Sequence, residues 1–169
     1  MKNIILIGFM GSGKSTVGKF VANNNNMKQI DTDWYIESKQ NRKISEIFET
    51  DGEEAFRRME TDCIKELLKN VDNKYIVSVG GGLPMKEENR GLLHQLGTIV
   101  YLKAEISTLE KRLSGDKKRP LLQGGELHDK IASLMEKRES VYEELADIIV
   151  QTDNKSFEDI ENEIKKGIE

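Results

Sequence analysis

Short apolar runs alternate along the chain with longer segments in which apolar residues recur every three or four positions. The runs at 4–7, 75–79, 98–102 and 148–151 are rich in β-branched and aromatic side chains and, with the weaker signal at 27–30, have the length of strands. Helical periods between them predict five strands joined by helices, hence an α/β architecture: a parallel sheet with helices on both faces. No internal repeat is visible. The asparagine run at 23–26 reads as the turn closing the first helix. One segment breaks the alternation. Residues 114–126, rich in Gly, Lys and Arg and containing Arg119-Pro120, sit between two helical stretches and suit a mobile lid.

The first strand runs into Gly8-Phe9-Met10-Gly11-Ser12-Gly13-Lys14-Ser15, a full match to G-x-x-x-x-G-K-[ST]. Glycines in such a loop let backbone N–H groups converge on phosphate oxygens, and the following helix offers its positive end. Lys14 adds a point charge and Ser15 a hydroxyl for Mg²⁺. Gly11, Ser12, Gly13, Lys14, Ser15 and Thr16 are therefore the expected nucleotide-binding stretch.

Composition narrows the partners. The 169 residues fit a single domain spanning 1–169, and a net charge of −4 leaves no global basic field for nucleic acid or an anionic membrane. Cys63 is the only cysteine, and His94 and His128 form no ligand motif, so neither a disulfide framework nor a cysteine-rich metal site is expected. With no signal peptide or membrane-length apolar run, the expected home is the cytoplasm. No heptad pattern suggests a coiled partner, and a monomer is expected.

In an open parallel sheet, ligands gather beyond the carboxyl ends of the strands. After the second strand comes Asp31-Thr32-Asp33, which in an extended segment would send both carboxylates to one side. One would reach a metal and the other a substrate; the same residues also suit a helix N-cap. After the third strand, Gly80-Gly81-Gly82 permits close backbone approach to a ligand, or simply a strand-to-helix turn. That strand ends in glycine where P-loop motors and switch GTPases carry a metal-holding Asp, and no Asn-Lys-x-Asp guanine reader follows, which argues against a GTPase.

Two arginines fall where charge is costly. Leu127, Ile131, Leu134, Met135, Val141, Tyr142 and Leu145 form one apolar helical stripe with Arg138 at its centre. It either pairs with an internal carboxylate or points into a site and forks onto an anionic group. Arg57 flanks the stripe Phe56, Met59, Cys63 and Leu67, with Glu60 one turn on to hold it, whereas Arg58 points to solvent.

The phosphate loop, Asp-Thr-Asp, Phe-Arg-x-x-Glu, Gly-Gly-Gly, Arg-Pro-Leu-Leu and Arg-x-x-x-Tyr resemble shikimate kinase in order and spacing over essentially the whole chain. The resemblance implies the P-loop three-layer sandwich of nucleoside monophosphate kinases, strand order 2-3-1-4-5, with a substrate region at about 32–62 and a lid at about 112–126. It implies ATP-dependent phosphorylation of the shikimate 3-hydroxyl with Mg²⁺, in the route to chorismate and the aromatic amino acids. Asp33 would orient or deprotonate the hydroxyl, Arg57 and Arg138 would clamp the carboxylate, and Gly80, Gly81 and Gly82 would line the pocket. Ser15 and Asp31 would hold the metal, with Lys14 and the loop amides on the phosphates and Arg119 arriving from the lid. Arg112 matches the arginine of the family's adenine sandwich, but the proline expected after the fifth strand is missing from Thr152-Asp153-Asn154-Lys155-Ser156. A kinase of another hydroxy acid such as gluconate, or a non-catalytic nucleotide-binding module, remains the alternative.

Overall fold

The computed structural model describes residues 2–116, 119–123 and 125–169. Its order is β1 (Ile4–Ile7), α1 (Lys14–Asn24), β2 (Lys28–Asp31), α2 (Thr32–Gln40), α3 (Ile44–Thr50), α4 (Glu53–Asn70), β3 (Tyr75–Ser78), α5 (Glu87–Leu96), β4 (Thr98–Lys103), α6 (Ile106–Leu113), α7 (Leu127–Leu145), β5 (Ile148–Gln151) and α8 (Phe157–Ile168). Single 3₁₀ turns stand at Leu83–Met85 and Pro120–Leu122. The five strands pair in parallel in the order β2-β3-β1-β4-β5. This is the expected order, with the expected strands displaced by a residue at four of their ends.

The central strand shows why both faces are covered. Successive side chains of a strand point to opposite faces. Ile5 and Ile7 enter one core with Val77, Ile99 and Tyr101, packed under α4, α5, α6 and α7. Ile4 and Leu6 enter the other with Ile76, Val100 and Val150, against Val17 and Val21 of α1 and Ile160 and Ile164 of α8. A strand buried on both sides reads as a continuous apolar run, which is the signature of β1. Burying each such Ile or Leu contributes about 1.5–3 kcal/mol, so the loop that follows β1 stands on a heavily anchored strand.

The asparagine turn closes α1 as expected: Asn26 adopts a left-handed conformation (φ 51°), and Met27 N–H donates to Ala22 O at 2.9 Å. Two expectations need correction. Asp33 does not lie in an extended segment, because β2 ends at Asp31 and α2 begins at Thr32. Arg112, at the start expected for the lid, is not in a loop but in the last turn of α6, whose amphipathic pattern carries the helix to Leu113. Of the expected lid, Lys117, Lys118 and Gly124 lie outside the described residues. Leu122 is buried in the main core, so this end of the segment is anchored by an apolar side chain.

Candidate active site

The loop between β1 and α1 takes its shape from glycines. Gly11 (φ 81°) and Gly13 (φ 94°) sit in left-handed backbone that a side chain would strain. The first intrahelical bond of α1 runs from Val17 N–H to Gly13 O, so the amides of Lys14, Ser15 and Thr16 precede the ladder, and no acidic side chain occupies that turn. The loop is braced from beneath: Ser78 Oγ donates to Lys14 O at 3.0 Å and Gln29 Nε2 to Ser15 O at 2.8 Å. Ser12 lines the loop with its amide donating to Phe9 O at 3.0 Å and its buried hydroxyl without a partner.

Lys14 curls over the loop, Nζ donating to Gly8 O at 2.8 Å and Phe9 O at 3.0 Å. Burial draws its pKa down to about 8, against the opposing pull of Asp33 and Asp31. Asp31 does both things its sequence context allowed. Oδ1 caps α2 by accepting from the amides of Asp33 (2.9 Å) and Trp34 (3.2 Å), while Oδ2 accepts from Ser15 Oγ at 2.5 Å. The cap turns the chain, and that turn rather than a strand pleat brings Asp33 to the same cavity as Asp31. Burial first, and then the neighbouring Asp31 charge, raise the Asp33 carboxyl to about 6.

Two cavities meet here. The larger, about 420 Å³, is lined by residues 10–17, Asp31, Asp33, Gly80, Gly81, Arg112 and Arg119, with Thr152, Lys155 and Phe157 at the far side. Arg112 donates to Gly11 O at 3.1 Å. The smaller, about 80 Å³, is walled by Phe48, Phe56, Arg57, Glu60, Gly82 and Arg138, with Pro120 and Leu121 from the expected lid. Met10, Asp33, Gly80, Gly81 and Arg119 line both. A carboxylate and a guanidinium thus stand at the junction of a phosphate cavity and a cationic one.

The smaller cavity is held rigidly. Gly80 N–H donates to the buried Thr32 hydroxyl at 3.0 Å, and the Tyr142 hydroxyl donates to Gly81 O. A Cβ on Gly80 would lie 2.8 Å from Asp33 Oδ1 and 2.9 Å from Glu60 Oε2, and one on Gly82 would collide with the Arg57 guanidinium. A side chain at either glycine would displace the carboxylates or the guanidinium that line the pocket. Arg57 donates to Glu60 Oε1 at 2.6 Å and Glu53 Oε1 at 3.2 Å. Arg138 is 4% exposed, forms no ion pair with a described carboxylate, lies over the Phe9 ring at 5.7 Å and leaves one guanidinium nitrogen without a partner. Of the two readings open in the sequence, the internal salt bridge is therefore the one the structure rejects. Arg58 is exposed beside Glu54, as expected.

The shikimate kinase family model matches residues 10–169. The chain belongs to the shikimate kinase family. Relatives named shikimate kinase include one from Dictyoglomus turgidum, 41% identical over 96% of this chain and 94% of its own length, and one from Legionella pneumophila, 40% identical over 98% and 94%. Among solved structures, a shikimate kinase from Acinetobacter baumannii in complex with shikimate superposes with a TM-score of 0.94 at 34% identity, covering 99% of this chain and 93% of that one. A gluconokinase from Sinorhizobium meliloti, at TM-score 0.61 and 17% identity, shares the fold alone.

Three contributors to this shikimate kinase site escaped the sequence reading. Met10 was only a variable position of the phosphate loop, Thr32 only the residue between two carboxylates, and Phe48 gave no signal outside its helix. Glu60 was seen as a partner for Arg57, but not as a side chain 1% exposed with Oε2 unpartnered.

Proposed function

We propose that this chain transfers the γ-phosphoryl group of ATP to the 3-hydroxyl of shikimate. The observation that carries the reading is the shared wall of the two cavities, where Asp33 and Arg119 face both the phosphate loop and the pocket holding Arg57 and Arg138. Shikimate is a small carboxylated polyol, and two guanidiniums in fork geometry suit its carboxylate. Residues 1–169 act as one kinase domain, with the acceptor region at about 32–62 and Arg119 on the closing segment, in a cytoplasmic monomer. Among the described residues no helix is long and apolar enough to cross a membrane.

Lys14 and the amides at the start of α1 hold the β- and γ-phosphates. Ser15 Oγ and Asp31 Oδ2, 2.5 Å apart, form a hard oxygen pair of the kind Mg²⁺ takes alongside phosphate and water, and they would hold it. The ion supplies neutralisation of phosphate charge. Asp33 orients the acceptor hydroxyl and receives its proton as the oxygen attacks the γ-phosphorus and the bond to the bridging oxygen of ADP breaks. Arg119 stabilises charge on the transferring group. Proximity and charge neutralisation do most of what phosphoryl transfer needs.

The test is ADP release in the presence of shikimate, gluconate or AMP. Turnover with shikimate alone supports the assignment; equal rates with gluconate, or none with any acceptor, would point to the other kinase class or to a binding module. Arg57→Ala and Arg138→Ala should each weaken apparent shikimate affinity by roughly 10 to 100-fold, from about 1.5–3 kcal/mol per charged hydrogen bond. Steady-state KM values check this, and an unchanged KM in both variants refutes the clamp.

A further inference from the structure

We propose that binding of the acceptor carboxylate is coupled to uptake of a proton by Glu60, which makes Glu60 a charge-balancing residue of the acceptor pocket. The inference rests on the functional reading above. Glu60 points inward from α4, is 1% exposed and spends one oxygen on Arg57, while Oε2 has no partner. That free oxygen faces Gly80 beside Asp33. Both carboxylates lie within 3 Å of the same Cβ position on Gly80, so their oxygens are within about 6 Å of one another, the range in which like charges oppose each other's ionisation.

The charges around Glu60 can be named element by element. Its own helix contributes Arg57, with Glu53 at the solvent edge, and the neutral Cys63 thiol. Asp33 faces it from α2, and Arg138 and the Tyr142 hydroxyl from α7. The α3 side of the pocket offers Ile44 and Phe48, and the turn after β3 only glycines. Arg119 lines the same pocket from its own segment, paired with Asp116, and Lys14 faces Asp33 from the phosphate side; within the acceptor pocket the two inward carboxylates face the two guanidiniums of Arg57 and Arg138. An anionic ligand seated between Arg57 and Arg138 adds an uncompensated negative charge to a buried site, where unpaired charge is costly.

The excess is removed most readily at the carboxylate whose charged form is least favourable. Burial raises the Glu60 carboxyl to about 7, with Asp33 adding to the rise and Arg57 opposing it. An arriving carboxylate raises it further, so the proton is taken from buffer in the pH range above about 7, where the free protein holds Glu60 ionised. Protonation also frees Arg57 from a competing carboxylate at the moment its guanidinium is needed by the ligand. At low pH Glu60 is already neutral and no uptake remains.

Calorimetric titration with shikimate at about pH 7.5, in buffers of different ionisation enthalpy, counts the protons. The wild-type protein should take up roughly half a proton per shikimate bound, and its affinity should weaken by roughly three- to tenfold between about pH 7 and 8.5. Glu60→Gln keeps the shape and removes the titration, so both the uptake and that slope should vanish. Shikimate binding to the wild type with no proton change overturns the inference, without recourse to any variant. Uptake that persists in Glu60→Gln also overturns it, by placing the proton elsewhere. Failure of shikimate to bind at all overturns the functional reading on which it stands.

Discussion

Asp33→Asn should lower turnover with shikimate by roughly 10² to 10⁴-fold while leaving Mg²⁺·ATP affinity near that of the wild type. The substitution preserves shape and removes the one carboxylate that faces both cavities. The split between chemistry and nucleotide binding follows from the geometry of the pair. Asp31, not Asp33, accepts from Ser15 Oγ, and its other oxygen holds the start of α2. Asp33 stands beyond that cap, beside Gly80 at the acceptor pocket. Nucleotide titration alongside kcat decides the matter: lost ATP affinity with near-normal chemistry would exchange the roles of the two aspartates.

Arg119→Ala should reduce kcat by at least about 10²-fold with little change in the shikimate KM, because a guanidinium delivered to the transferring phosphoryl group acts mainly on the transition state. Arg119 lines both cavities, its side chain is 42% exposed, and it pairs with Asp116 three residues earlier in its own segment. The Arg119 side of that pair is open to solvent while Asp116 is 14% exposed, so the guanidinium can turn to a phosphate by giving up a partner in its own segment. Arg57, by contrast, is held by Glu60 from one turn along its helix, with only 21% of its side chain exposed. That difference is what the proposed roles require, with Arg57 positioning the acceptor and Arg119 meeting the developing charge. A rise in shikimate KM alone, with kcat intact, would make Arg119 a static binding residue.

Legibility in the sequence followed the range of the interactions. The phosphate loop could be read because its chemistry lies in eight consecutive residues, and β1 because a strand covered on both faces is apolar throughout. Arg138 was legible as an anomaly, a guanidinium in an apolar stripe. Whether it met a carboxylate depended on elements far away in the chain, and Phe9 is what lies against it. The same limit applied to Asp33. Its partnership with Asp31 was correctly expected, but from a pleat; the cap that turns the chain at Asp31 is a hydrogen-bonding choice the sequence left open.

By itself the sequence determined the alternation of strands and helices, the phosphate-binding loop, and the residue types gathered at the strand ends, because each is set by local spacing and by the period of burial. Its family resemblance supplied the strand order that the sheet displays. Only the tertiary structure decided that two cavities share Asp33 and Arg119, that Arg138 goes without a carboxylate, and that Leu122 pins one end of the expected lid. It alone put the unpartnered oxygen of Glu60 beside Asp33, across the width of one glycine. Those outcomes depend on how α2, α4 and α7 rotate and pack around the glycine turn. A helical period states which face of a helix is buried, but not which distant side chain that face will meet.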